Sequence, residues 1–338
     1  MIGTRVVCPF VLCAGLFAQE KPVAAVDDWK ELVRRAAELQ GQAKFAEAES
    51  LALKAVKAAE RFGPGSAELA TSLYNLASIS QDLGKYSEAR NSYQRSIAIY
   101  EEALGPEDLS VAYPLNKLGA LCLAQGQYSE SENLRRRSLA IRVRNLGPDH
   151  PHVARVLQNL AEVYRLEGRY AEAESLCLQA LAIWEKNAAA AWPEMAQVRS
   201  TLALIRMDAG RYEDAEIEIR LALDILERTV GPDHPALVRP LNNLAAIERH
   251  LGRLSEAEAT LKTARTIAER RLGPEHPRTV EVLCEYVTLL KSAGRKAEAK
   301  SMEKLVKAAQ ARQTAGRPGQ YTVDVAALRA AGDATAGK

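Results

Sequence analysis

Side-chain amides recur in this chain at a fixed interval. Asn75, Lys117, Asn159, Thr201 and Asn243 stand in one column 42 residues apart, and Asn116, Gln158 and Asn242 stand in the column beside it. A side-chain amide carries a donor and an acceptor together, so a row of them can pair with an extended peptide backbone of any sequence. Basic residues share these stripes: Lys117, Arg155, Arg165, Arg239 and Arg249, answered by Glu162 and, at the last repeat, by Glu281 and Glu285. Guanidinium and ammonium groups suit a carboxylate on an acidic segment or a chain end. A merely solvated helix face needs polarity but not recurrent Asn, which is a mediocre helix former. The candidate binding residues are therefore Asn75, Asn116, Lys117, Arg155, Gln158, Asn159, Arg165, Arg239, Asn242, Asn243 and Arg249.

Other chemistry finds less support. His150, His234 and His276 recur in Asp/Glu-His-Pro connectors, one full repeat or more apart, too far to share a metal ion. A helix-start role fits them better. Glu172-Ala173-Glu174 and its copies fall on an outer helix face as solvating charges, and Arg135-Arg136-Arg137 reads as a solvated basic run on one helix. Cys122, Cys177 and Cys284 are isolated and no Cys-x-x-Cys occurs, which argues against a disulfide framework or a zinc site. No Gly-rich phosphate loop, nucleophile elbow or His-Glu-x-x-His helix is present. No catalytic constellation, metal or cofactor is expected. With 45 basic and 43 acidic residues the net charge is +2, without the basic excess of a nucleic-acid binder.

The elements that carry these columns follow from the period. Gly63-Pro64, Gly105-Pro106, Gly147-Pro148, Gly231-Pro232 and Gly273-Pro274 are spaced by 42, 42, 84 and 42 residues, and Asn187 to Pro193 fills the skipped beat. Such a period means a stacked repeat array. In residues 147–188 the Gly-Pro breaks the preceding helix and Pro151 opens a new one. Leu157, Leu160, Ala161 and Tyr164 form its apolar stripe, and Gly168 ends it. A second helix packs through Ala173, Leu176, Cys177, Ala180, Ile183 and Trp184. The columns Ala77, Gly119, Ala161, Ala203, Ala245 and Ala89, Ser131, Ala173, Ala215, Ala257, Ala299 stay small, as closely approaching helices require. The turn glycines Gly84, Gly126, Gly168, Gly210, Gly252 and Gly294 keep register, and Tyr86, Tyr128, Tyr170 and Tyr212 follow two residues later.

The pattern Leu157-x2-Leu160-Ala161-x2-Tyr164, followed by Ala173-x3-Cys177 and Ala180, resembles the tetratricopeptide repeat. The 42-residue period, the Leu-Gly-Pro connectors and the run Asn242 to Ala245 resemble the longer repeats of kinesin light chains and of many bacterial proteins. HEAT and armadillo repeats have comparable periods, but the Gly-x-Tyr turn and the small-residue pair favour the tetratricopeptide type. The resemblance covers about residues 65–300. It implies an all-α fold, an α-solenoid (a right-handed superhelix) of about seven antiparallel hairpins, with peptides held on the inner face of the first helices.

The expected organisation is an export signal at 1–18, a capping hairpin at 27–62, a repeat array at 65–312 and a mostly disordered tail at 313–338. Arg5, the apolar run Val6 to Phe17 and Ala18 carry the export reading, periplasmic or secreted, with a cytoplasmic location as the alternative. No later segment is apolar enough for a transmembrane anchor. The expected function is a non-enzymatic scaffold that binds an extended, acidic segment of another protein in its concave groove. The alternative is an accessory or sensor subunit of an enzyme or signalling complex whose catalytic chain is separate.

Overall fold

The computed structural model describes residues 23–187 and 192–316, and over them the chain forms fourteen α-helices and no strand. They pair as seven antiparallel hairpins. Val23–Gly41 (α1) pairs with Phe45–Ala59 (α2), Ala67–Asp82 (α3) with Tyr86–Leu104 (α4), and Leu109–Ala124 (α5) with Tyr128–Leu146 (α6). Pro151–Leu166 (α7) pairs with Tyr170–Lys186 (α8), and Trp192–Asp208 (α9) with Tyr212–Val230 (α10). Val238–His250 (α11), entered through a 3-10 turn at Pro235–Leu237, pairs with Leu254–Arg271 (α12), and Pro277–Ser292 (α13) with Lys296–Gly316 (α14). The export signal at 1–18, residues 188–191 of the skipped connector and the tail beyond Gly316 lie outside the described residues.

Local chemistry sets the helix ends. Three of the connectors place a histidine just before the helix. The backbone N–H of His152 donates to His150 Nδ1 at 3.1 Å, that of Ala236 to His234 at 3.2 Å and that of Arg278 to His276 at 3.2 Å. Each imidazole thus satisfies a backbone donor that the first helical turn leaves unpaired. At the hairpin turns the six register glycines hold φ between +72° and +78°. The first hairpin has Ala43 in that register slot, at φ +58°, where a Cβ is disfavoured.

The small columns sit where the helices cross. Ala77, Ala89, Ala161, Ala173, Ala215 and Ala257 are all fully buried. Gly119 is the extreme case: a Cβ there would lie 2.9 Å from Arg135 Cγ. Arg135 itself is 3% exposed, which corrects the solvated reading of the Arg135-Arg136-Arg137 run at its first residue, while Arg136 stays exposed. The missing Gly119 side chain opens the slot that this arginine fills.

The apolar core changes hands at this point. One cluster runs from Ala70 to Ile141 and another from Val153 to Ala299. Between them α6 buries Ser131, Arg135, Ser138, Ile141 and Arg142, a largely polar face. The seam is hydrogen-bonded: Ser131 Oγ donates to the Gly119 carbonyl and Ser138 Oγ to the Ala112 carbonyl, both at 2.7 Å. Arg135 donates to the Asn159 carbonyl across the joint.

Packing between repeats is lopsided. Each first helix from α1 to α11 approaches the next first helix, whereas among the described residues successive second helices do not come within 8 Å, Cα to Cα. The first helices therefore form the inner wall of the stack and the second helices its outer side. Long side chains bridge the second helices instead. Arg169 reaches Glu132 at 3.0 Å, Arg295 reaches Glu258 at 2.6 Å and Lys85 reaches Glu49 at 2.6 Å, while Arg211 and Arg253 bind Glu174 and Glu216. The pair is inverted once, where Arg90 donates to Gln127.

Two outcomes follow. Ala43→Gly relieves the left-handed strain and raises the unfolding free energy by about 1 kcal/mol in denaturant titration. The hydrogen bond from Arg253 holds the Glu216 carboxyl below its ordinary value, so its contribution is present above about pH 4 and is lost as pH falls. Glu216→Gln accordingly lowers the thermal midpoint at pH 7, and the variant loses less than the parent on acidification.

Candidate peptide-binding groove

The inner wall presents the face of each first helix opposite its packing stripe, and the candidate residues sit on it. Several of them hold the repeats to one another. Asn159 Nδ2 donates to Asn116 Oδ1 at 3.2 Å, and Gln158 Nε2, itself buried, donates to Thr201 Oγ1 at 3.1 Å. Both partners lie 43 residues away, one period plus one. The same offset joins Trp29 Nε1 to Ser72 Oγ at 2.7 Å in the first hairpin. A residue on one first helix thus meets the residue one step along on the next.

The arginines are engaged in the same way. Arg165 pairs with Glu162 at 2.8 Å and with Asp208 of the following hairpin. Arg155 reaches Glu194 at 3.1 Å, and Arg249 reaches Glu285 at 2.9 Å. Burial opposes the Arg165 charge, but the Glu162 and Asp208 carboxylates outweigh it and hold the guanidinium protonated. These three side chains therefore carry charge that is already balanced within the chain.

Four candidates have no hydrogen-bond or ionic partner among the described residues: Asn75, Lys117, Arg239 and Asn243. Arg239 is exposed and the other three are half-buried. Asn242 differs again. Its Oδ1 is buried and accepts no hydrogen bond among the described residues. The structure thus brings Asn116 and Asn159 into contact and leaves the free amides and cations spread along the wall.

Glu194 and Asp208 were missed as partners on this face. The signal for Asp208 was the period-plus-one offset from Arg165. Arg142 was missed too, although it stands in a register slot that holds Tyr100, Trp184 and Leu226 elsewhere. On the outer side, a cleft of about 400 Å³ opens between α10 and α12 over Leu241 and Leu244. One of about 310 Å³ opens three periods earlier, between α4 and α6 over Leu115 and Leu118.

Comparison with known proteins bears on the repeats themselves. The family model described as Tetratricopeptide repeat matches residues 32–102, 104–186, 194–270 and 238–310. The nearly identical kinesin-light-chain TPR-like repeats of Podosopora anserina are 26% identical over 59% of this chain and 94% of theirs, with a TM-score of 0.52. BtubC (BKLC) of P. vanneervenii is 22% identical over 62% of this chain and 90% of its own, with a TM-score of 0.54. A Rap protein complexed with Competence and Sporulation Factor is 17% identical over 85% of this chain and 76% of its own, with a TM-score of 0.60. The last two likenesses speak to the fold alone. The comparison with curated proteins returned no match.

The two kinds of amide separate in stability. Asn159→Ala removes a cross-repeat donor and costs about 1 kcal/mol in urea unfolding, whereas Asn242→Ala removes an unpaired buried acceptor and leaves stability unchanged or higher.

Proposed function

Because this chain belongs to the tetratricopeptide repeat family, a fold that mediates protein–protein interaction, we propose that it is a non-enzymatic scaffold that grips an extended segment of another protein on its inner wall. One observation carries the reading: Asn75, Lys117, Arg239 and Asn243, all on first helices, have no partner among the described residues, although their neighbours on the same stripes are paired. Unpaired amides supply donors and acceptors for a peptide backbone, and Lys117 and Arg239 supply charge for an acidic partner. The Rap protein seen with Competence and Sporulation Factor is consistent with a fold of this kind holding a partner. Export to the cell envelope belongs to the same proposal and rests on Arg5 and the apolar run Val6 to Phe17.

The test is capture of a partner from envelope extract. Lys117→Ala, Arg239→Ala and Asn243→Ala combined abolish capture while the thermal midpoint stays at the parent value. Capture that survives in the folded triple variant overturns the groove assignment. The captured complex weakens with added salt, because the two cations are exposed enough to be screened.

A further inference from the structure

Arg155, Arg165 and Arg249 are neutralised by carboxylates, yet a buried cation beside them is not. Arg142 of α6 is 4% exposed and has no carboxylate within ion-pair distance among the described residues. Its hydrogen bonds there run to uncharged hydroxyl groups, a long one from Nε to Ser138 Oγ at 3.4 Å and one to Tyr113, so neither supplies a negative charge. The guanidinium lies 4.6 Å from the centre of the Tyr113 ring, which is itself exposed. A buried arginine left without a carboxylate destabilises the fold unless something else meets its charge. Its register mates are Tyr100, Trp184, Leu226 and Ala268, so the hairpin does not need a cation at this position.

The surroundings are built for a negative group. Tyr113 meets His152 edge to face at 6.4 Å, and His152 stacks on His150 at 5.2 Å. These histidines open α7, whose N-terminus adds a partial positive charge. Arg155 is close by, already shared with Glu194. Burial, then the nearby Arg142 charge, holds His152 below its ordinary range, so it is neutral at pH 7. One uncompensated positive charge remains, which suits a monoanion and not a doubly charged phosphate ester.

We propose that Arg142, framed by Tyr113 and His152, is a carboxylate site at the connector-side rim of the groove. It receives an acidic side chain or the terminal carboxylate of the bound segment, and in this it rests on the groove reading above. The guanidinium fork donates two hydrogen bonds to the carboxylate, and the Tyr113 ring shields the pair from water.

Sodium acetate is the first probe, followed through the His152 ring resonances and the thermal midpoint. In the parent protein both respond saturably. Arg142→Leu, which installs the residue the same slot holds at Leu226, has a higher midpoint without anion and binds acetate more weakly by about tenfold or more. A lower midpoint in Arg142→Leu, or a parent protein that acetate leaves unchanged, overturns the site. Inorganic phosphate saturating below acetate overturns the choice of a monoanion. Tetraglycine with a free carboxylate and an amidated peptide carrying one Asp separate the two sources: binding by either supports the site and identifies its ligand. The two readings fail separately. If the Lys117, Arg239 and Asn243 variants keep their partner while acetate still titrates Arg142, the groove falls and the site stands. If partner capture is unchanged in Arg142→Leu but lost in those variants, the groove stands and the rim anchor falls.

Discussion

A helix hairpin of this kind cannot bury its own apolar face, and only the next hairpin can cover it. Everything else in the structure answers that constraint. Leu157, Leu160 and Tyr164 on α7 and Ala173 and Cys177 on α8 belong to one continuous cluster that also takes in residues of α9 through α14. Continuity demands register, and register demands that the crossing points stay small. Where a larger group does enter, as Arg135 does, the column gives way on the facing helix at Gly119. The seam at α6 shows that the requirement is for coverage and satisfied hydrogen bonds, not for apolarity alone.

The inner wall serves two purposes with one set of side chains. Asn116, Gln158, Asn159 and Arg165 tie successive hairpins together, and Asn75, Lys117, Arg239 and Asn243 remain available. This division explains why the polar columns are so regular. A residue that must meet its register neighbour is constrained as tightly as a core residue, although it lies on the surface of a groove.

Much of this was legible in the sequence because hairpin structure is local. The turn glycines and the His-Pro connectors act within a few residues of themselves, and the small columns repeat at the same spacing, so the 42-residue period carried them directly. The expected first helix of the 147–188 repeat, for instance, begins at Pro151 as found. Cross-repeat partners were not legible in the same way. Whether Arg165 meets residue 207, 208 or 209 depends on how far one hairpin is rotated and shifted against the next, a quantity no single repeat encodes. The burial of Arg135 depends on a glycine sixteen residues earlier on another helix. Only comparison of α6 with its register mates, Tyr93, Cys177 and Ile219 at one slot, marks that side chain as displaced into the core.

Inner and outer sides of the stack are joined by different means. First helices touch directly, whereas second helices are connected by arginine–carboxylate bridges that span open furrows. Any change in the angle between successive hairpins alters the gap that these bridges span, and the attraction across it is one that dissolved salt screens.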